Sequence, residues 1–442
     1  MAKTDWKAEA KALKKSLKAI KAQAAPVGVV KKAKPVSPLA PAAFPEMPRI
    51  AGVQFSAVEA GVRYANRKDV MLVQLAPGTA MAGVFTRSTT RSACVRACQA
   101  NLTQKVPAGV GAAILVNSGN SNAFTGAVGD HAVAQIVDGV AGALDLPTSR
   151  VFTSSTGVIG EPLPFARVTD KIPDLVAGLR EDAIEMAAQA MMTTDTFPKG
   201  AAAVVQGSGG IINIAGIAKG SGMIAPDMAT MLVYIFTDAK IPAATLQKML
   251  SRNVDATFNS ITVDSDTSTS DTLLLAATGQ SSAAQVKGAV AKAFEAALHG
   301  VMLDLAHQVV RDGEGATKFI EVRVTGAATD ADAHRVALAI ANSPLVKTAV
   351  AGQDPNWGRV VMAVGKSGAQ ADRDLLTVRF GDLVVAKNGW RNPDYSEQAT
   401  AAYMKNPELL IGVDLGLGKG ERSVWTCDLT SGYIQINADY RS

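Results

Sequence analysis

The sequence predicts a mixed α/β fold built in packed layers. Short apolar runs of strand length alternate with segments whose apolar residues recur at helical spacing, from about residue 50 to the end of the 442-residue chain. Apolar residues make up 48% of the chain and charged residues only 19%, which is typical of a globular protein with a well-packed core. We find no internal repeat. The alternation is compatible with both α/β and α+β packing.

The first predicted elements of the body are strands. Runs at 70–77 and 81–86 flank a Pro-Gly turn, which predicts a β-hairpin. The run at 112–119 predicts a buried strand that ends in a polar loop, and 151–160 predicts a strand entering a glycine-containing loop. Between these two, apolar residues at helical spacing predict a helix: Val133, Ile136, Val137, Val140 and Leu144.

Helices and strands continue to alternate through the second half of the chain. In chain order we predict a helix at 181–192, two strands joined at 206–210, a strand at 230–238, a helix at 243–257, a strand at 272–278 and a helix at 284–311. Further strands and helices are expected between this last helix and the C-terminus.

The first 49 residues differ from the rest. Residues 1–45 hold ten lysines against Asp5 and Glu9, so they carry a charge of +8, whereas the chain as a whole carries +5. Six prolines between residues 26 and 48 predict an extended, solvated, disordered segment. The tail suits either a solvated extension, which we favour, or contact with nucleic acid or a membrane. A mitochondrial presequence is disfavoured because no arginine precedes Arg49.

The composition disfavours several classes of protein. No apolar run is long enough to span a bilayer, and no secretory signal is recognisable, so we expect a cytoplasmic protein that binds neither membrane nor nucleic acid. Cys94, Cys98 and Cys427 predict free thiols in a reducing compartment. We predict no metal site. The acidic residues of 262–272 suggest a cation site or local backbone contacts, and we favour the contacts.

One local pattern points to chemistry. Polar and glycine-rich residues from 218 end at Ala229, and an apolar strand then begins with the hydroxyl residue Thr230. Self-cleavage requires this arrangement, because the hydroxyl must attack the preceding carbonyl. Cleavage would leave Thr230 with a free α-amine, whose ordinary pKa of about 8 allows it to act as the base for its own hydroxyl. Without further context, a strand-initial threonine is usually structural.

Eight segments in order resemble one family, the ornithine acetyltransferases or glutamate N-acetyltransferases of arginine biosynthesis. They are NSGNSNAFTG (117–126), TSSTGVIG (153–160), TTDTFPK (193–199), KGSGMIAPDMATML (219–232), FNSITVDSDTSTSDT (258–272), DGEGATK (312–318), DPNWGR (354–359) and INADYRS (436–442). The resemblance implies a layered α/β/β/α sandwich of the aminopeptidase type. It also implies self-cleavage into two interleaved chains, 50–229 and 230–442.

The resemblance also implies roles for individual residues. Thr230 matches the nucleophile, with the scissile bond at Ala229–Thr230, and Thr156 with Gly157 matches the pair of the oxyanion hole. Five further residues match substrate-binding positions: Thr196, Lys219, Glu314, Asn437 and Ser442. Lys219 suits an α-carboxylate, Glu314 suits a cationic amine, and the last two offer neutral hydrogen bonds.

The implied reaction is acetyl transfer from N2-acetylornithine to glutamate through an acetyl-Thr230 intermediate. The implied assembly is a heterotetramer of two copies of each chain. No cofactor is implied, and acetyl-CoA is left open as a second donor because family members differ there. The alternative is a self-cleaving aminopeptidase or amidase, in which water replaces the acceptor amine.

Overall fold

The computed structural model describes residues 35–107, 109–225 and 231–438. By its internal contacts the chain divides into Met1–Pro35 and Val36–Ser442, and every element below belongs to the second unit. Its strands are β1 (Val53–Val58), β2 (Val70–Leu75), β3 (Ala80–Phe85), β4 (Ala112–Asn120), β5 (Val151–Val158), β6 (Lys199–Gly207), β7 (Gly210–Lys219), β8 (Leu232–Thr237), β9 (Thr272–Ala277), β10 (Phe319–Ala327), β11 (Thr377–Phe380), β12 (Leu383–Lys387), β13 (Trp390–Arg391), β14 (Glu408–Asp414) and β15 (Gly420–Cys427).

Helices lie between most of these strands. They are α1 (Ala93–Thr103), α2 (Gly126–Leu144), α3 (Phe165–Thr169), α4 (Ile172–Ala177), α5 (Ile184–Met191), α6 (Ala243–Val254), α7 (Gly288–Arg311), α8 (Asp330–Ala341), α9 (Pro344–Ala351), α10 (Trp357–Gly365), α11 (Glu397–Tyr403) and α12 (Ser431–Ala438). Two 3₁₀ turns lie at Thr148–Arg150 and Phe258–Ser260.

The strands form three sheets, ordered β1-β2-β4-β5, β3-β9-β8-β7-β6 and β13-β12-β11-β14-β10-β15. The first two pack face to face, and their shared core includes Phe55 against Phe236, with ring centroids 5.1 Å apart. Helix α2 covers the outer face of the first sheet, and α6 and α7 cover the outer face of the second. Because each of these two sheets has one helix-covered face and one sheet-covered face, the α/β/β/α sandwich is confirmed.

The third sheet has its own apolar core. Val322, Val378 and Ile411 on its strands pack with Val336 and Ile340 of α8. The sequence predicts elements in this region without indicating that they form a separate sheet.

Most of the predicted elements are confirmed, with ends that differ by a few residues, but the predicted hairpin is wrong. Strand β2 has β1 on one edge and β4 on the other, and β3 pairs with β9 in the second sheet. The turn at Pro77-Gly78 therefore carries the chain from one sheet to the other. Met71 and Met81 lie in the core between the sheets, which explains why both runs are apolar.

The Pro-rich segment also differs from its prediction. Residues 1–34 lie outside the described part of the chain, but 36–49 pack on the body and are not a solvated linker. Leu39 is buried in the core beneath α7, and the Ser37 hydroxyl donates to the carbonyl of Arg311, 2.6 Å away. The ring of Phe44 lies against Gly200, where a Cβ would come within 2.5 Å of it.

Candidate active site

A cavity of about 280 Å³ lies where the first two sheets meet the loop before β10 and helix α12. It is lined by Ser121, Thr156, Gly157, Val158, Ile159, Thr193, Thr194, Lys219, Gly222, Met223, Ser268, Thr269, Ser270, Glu314 and Asn437. The structure thus brings together five of the predicted site residues, which are far apart in sequence. Ala229, Thr230 and Ser442 lie outside the described residues.

The predicted oxyanion pair lies at the carboxyl end of β5. Strand β5 runs parallel to β4, and the register shifts where Gly119 and Asn120 face Thr156 and Gly157. Gly157 has φ +130°, and a Cβ there would be 2.3 Å from the carbonyl carbon of Gly119. The site therefore requires glycine, because any side chain would both clash and strain the backbone. A hydroxyl and a backbone N–H at such a turn are the donors that a developing oxyanion needs.

Lys219 and Glu314 place opposite charges in the cavity. Lys219 ends β7, where it faces Leu232 of β8, two residues beyond Thr230. The Glu314 amide donates to the carbonyl of Ser221 over 2.8 Å, and its carboxylate accepts from Asn437 Nδ2 over 2.7 Å. Both charged side chains are buried, so an amino acid with its own two charges would find partners that water screens little.

The structure does not bring Thr196 to the cavity. Its hydroxyl donates to Asp312 Oδ1, and its amide donates to Asp312 Oδ2 over 2.9 Å. The Ser37 amide donates to the same hydroxyl over 2.9 Å. Its neighbours Thr193 and Thr194 line the cavity instead, and Thr194 hydrogen-bonds the Ser221 hydroxyl at 2.6 Å. A substrate-binding role for Thr196 stays a prediction.

Behind the cavity lies a buried ionic network of Asp195, Lys199 and Asp312. Lys199 Nζ lies 2.7 Å from Asp195 Oδ1 and 2.6 Å from Asp312 Oδ2. The side chains of all three residues are fully buried. Burial alone would raise the pKa of Asp195, but Lys199 and Lys219 hold that pKa below its usual range. For Lys199, burial would lower the pKa, but the two carboxylates raise it. Burial, together with the charge of Asp195, raises the pKa of Asp312 although Lys199 opposes this. The ion pair of Lys199 with Asp195 is therefore the firmly charged part of the network.

This network fixes the segments that line the cavity. Asp195 accepts the amide of Gly220, next to Lys219, over 2.7 Å, and that of Thr193 over 3.0 Å. Asp312 lies two residues before Glu314. The charged residues of TTDTFPK and DGEGATK thus have a physical role that the sequence did not reveal: they connect three parts of the site.

Asp264 holds the loop that enters the predicted cleavage segment. Its Oδ2 accepts the amide of Met223 over 2.6 Å, and its Oδ1 accepts that of Ile224 over 2.9 Å. The Tyr433 hydroxyl also lies 3.2 Å from Oδ2. Burial raises the pKa of Asp264, although the backbone amides oppose this. Asp264 does bind backbone amides, as favoured, but those of Met223 and Ile224 lie 40 or more residues away in sequence and are not local contacts.

The remaining reactive groups lie elsewhere or are buried. Cys94, Cys98 and Cys427 are free and buried, as predicted, and burial raises the pKa of each thiol. In the part of the chain that the structure describes, no three His, Cys, Asp or Glu side chains are arranged to hold a metal ion. Nor does any helix described there have the length and apolar character needed to cross a membrane.

Sequence reasoning missed several cavity residues. Ser268, Thr269 and Ser270 line it, as do Thr193 and Thr194. These residues fall within two segments that resemble the family, which is the signal that could have marked them. Their small polar side chains are otherwise typical of any solvent-exposed loop.

Comparisons with known proteins agree with the resemblance. The ArgJ family model matches residues 54–442. The arginine biosynthesis bifunctional protein ArgJ of Ruegeria pomeroyi is 64% identical over 402 residues, which cover 90% of this chain and 97% of that protein. The solved ArgJ structure from Bacillus halodurans is 43% identical and covers 46% of this chain and 95% of that chain, with a TM-score of 0.44. The ornithine acetyltransferase of Mycobacterium tuberculosis, solved in complex with ornithine, is 30% identical and covers 41% of this chain and 93% of that one, with a TM-score of 0.36.

Proposed function

Because the chain belongs to the ArgJ family, we propose that it is an acetyltransferase of arginine biosynthesis that moves acetyl from N2-acetylornithine to glutamate. The observation that supports this proposal is the cavity, in which the oxyanion pair and two opposite charges lie together. Its volume is near the lower end of the usual range for ligand pockets, which suits a substrate of amino-acid size.

The first step we propose is self-cleavage. The Thr230 hydroxyl attacks the carbonyl carbon of Ala229, the C–N bond breaks, and an ester forms between the two residues. Water then hydrolyses the ester, which leaves a carboxylate on Ala229 and a free α-amine on Thr230. That amine is the base for the acetyl-transfer reaction, so no histidine is required.

Acetyl transfer then follows in two half-reactions. The Thr230 hydroxyl attacks the acetyl carbonyl of N2-acetylornithine while its α-amine takes the proton. The Thr156 hydroxyl and the Gly157 amide stabilise the oxyanion, and ornithine leaves with the proton returned to its nitrogen. The amine of glutamate next attacks the acetyl ester, which regenerates Thr230 and releases N-acetylglutamate.

The two charges would orient both substrates. Lys219 pairs with the α-carboxylate that the donor and the acceptor share, and Glu314 pairs with the side-chain amine of the donor. Asn437 donates to Glu314 and holds it in place. Ser442 would add a further hydroxyl at the end of the chain.

We further propose that the two fragments assemble as a heterotetramer in the cytoplasm. We also propose acetyl-CoA as a second donor for the same nucleophile, because it too presents an acetyl carbonyl. Incubation of the purified protein with acetyl-CoA and glutamate, without N-acetylornithine, tests this: release of free thiol alongside N-acetylglutamate identifies acetyl-CoA as a donor.

A denaturing gel with N-terminal sequencing tests the central proposal. The wild-type chain should give two fragments, the smaller beginning at Thr230, and Thr230→Ala should stay uncut and inactive. Thr245→Ala, an exposed threonine on α6, is the matched control and should be cut normally. An uncut wild-type chain that still transfers acetyl would overturn the mechanism. Release of free acetate in place of N-acetylglutamate would favour the amidase alternative.

A further inference from the structure

The chain that approaches the proposed cleavage site has an unfavourable backbone conformation. Met223 has φ +56°, in the left-handed region that residues other than glycine rarely adopt. Its amide donates to Asp264 Oδ2, and the next amide, that of Ile224, donates to Oδ1. One carboxylate thus uses both oxygens to hold the strained turn, 2.6 and 2.9 Å from the two nitrogens.

The same region fixes the carbonyl side of this turn. The carbonyl of Ile224 accepts the amide of Val263 over 2.8 Å and the hydroxyl of Thr262 over 3.1 Å. Ile224 and Ala225 are both buried. The segment 262–264 therefore binds three backbone atoms of the turn, the amide nitrogen of Met223 and the amide nitrogen and carbonyl oxygen of Ile224.

The chain is equally fixed on the far side of the bond. The carbonyl of Met231 accepts the amide of Thr272 over 3.1 Å, and Leu232 then pairs with Lys219 in the sheet. Only residues 226–230 separate the two fixed ends. The described chain is therefore fixed on both sides of the predicted cleavage segment.

We propose that Asp264 is a positioning residue for self-cleavage, which fixes the Met223–Ile224 turn that leads into the cleavage segment. This inference rests on the proposed function. Asp264 takes no part in bond making or breaking: the hydroxyl and amide nitrogen of Thr230, the carbonyl of Ala229 and water supply every atom that changes partner.

The residue type supports this role. Two amides need two acceptor oxygens, which aspartate supplies and asparagine does not. Burial and the nearby Glu314 both raise the pKa of Asp264, whereas the amides that it accepts lower it. The amide contacts therefore offset part of the cost of an acidic side chain at this position.

The test is a time course of cleavage in cell-free translation, which catches the precursor before it is cut. Asp264→Asn replaces one acceptor with an NH₂ group that faces an amide donor, and we expect cleavage at least about tenfold slower. Asp266→Asn is the matched control, an exposed acid of the same loop, and should cut within about twofold of wild type. Tyr433→Phe removes only the third contact of Asp264 and should also stay close to wild type.

The pH dependence of the cleavage rate provides a readout that a mere loss of packing would not change. The groups facing Asp264 are Glu314 of the 312–318 loop, Tyr433 of α12, Cys427 of β15 and Asp266 of its own loop. Protonation turns one acceptor oxygen into a donor, so the wild-type rate should fall as the pH drops into the range where Asp264 titrates. The Asn variant has no such proton to gain and should lose this part of the pH profile.

Folding is checked separately. Thermal unfolding of Thr230→Ala with and without Asp264→Asn compares two uncut chains. If the Asn variant does not fold, Asp264→Glu, which keeps the charge but displaces both oxygens, must show the same slow cleavage. Cleavage of a folded Asp264 variant at the wild-type rate overturns this inference, whereas a wild-type chain that never cuts overturns the proposed function instead.

Discussion

Glu314→Gln should separate the two half-reactions of the enzyme. Glutamine keeps the shape of the side chain and an oxygen for Asn437 Nδ2, which lies 2.7 Å from Glu314 Oε2, but it removes the negative charge. The side chain is 8% exposed, so a cationic amine beside it is weakly screened. A hydrogen bond to a charged group contributes about 2 kcal/mol, which corresponds to roughly a 30-fold change.

The expected loss falls on kcat/KM for N2-acetylornithine alone. Glutamate has no side-chain cation, so its kcat/KM should stay within about threefold of wild type or rise. Initial rates with both substrates varied measure the two values independently in a ping-pong reaction. Glu408→Gln, an exposed acid that pairs with Arg311, is the control. An equal fall for both substrates would show that Glu314 only supports the fold, and no fall for either would refute its proposed contact with the amine.

Three further predictions concern stability and can be measured by denaturant unfolding. Gly157→Ala should cost more than about 2 kcal/mol and abolish transfer, since the new Cβ meets backbone at a φ that suits only glycine. Lys199→Met leaves two buried carboxylates without their cation and should cost about 3 kcal/mol or more. Burial lowers the pKa of His307 to about 4, so the unfolded state binds this proton more readily between pH 6.5 and 4. The free energy of unfolding should therefore fall by up to about 3 kcal/mol as the pH drops through that window, and His307→Phe should flatten the slope. Wild-type stability in Gly157→Ala or Lys199→Met, or an unchanged slope in His307→Phe, would contradict the respective argument.

Local sequence pattern predicted the strands and helices well but not their pairing. The apolar runs around Pro77-Gly78 satisfy every local requirement of a hairpin, yet the second strand pairs with β9, almost 200 residues later. Which strand is a neighbour depends on contacts distant in sequence, and local periodicity contains no information about them. The same reason explains why the third sheet was not anticipated.

Prediction of the site residues depended on the family resemblance even more than prediction of the fold did. The sequence alone does not show that position 157 requires glycine, because that requirement comes from its positive φ and from the neighbouring backbone of Gly119. Asp264 is one of several acids in a polar segment, and its two amide partners lie 40 residues earlier. The Pro-rich composition of 36–49 predicted solvation, and the apolar contacts of Leu39 outweighed it.

The order of the second sheet, β3-β9-β8-β7-β6, has a consequence for the protein after the proposed self-cleavage. A cut before Thr230 assigns β3, β6 and β7 to one product and β8 and β9 to the other, so neither product contains the complete second sheet. While the peptide bond is intact, the two parts of the second sheet meet at the high effective concentration of a single chain. Once the bond is broken, the rate at which the two fragments meet depends on the protein concentration. The uncut Thr230→Ala chain should therefore refold after denaturation. The two fragments of the cut protein should instead aggregate or stay apart once they unfold, so the rate of unfolding sets the working lifetime of the cut enzyme.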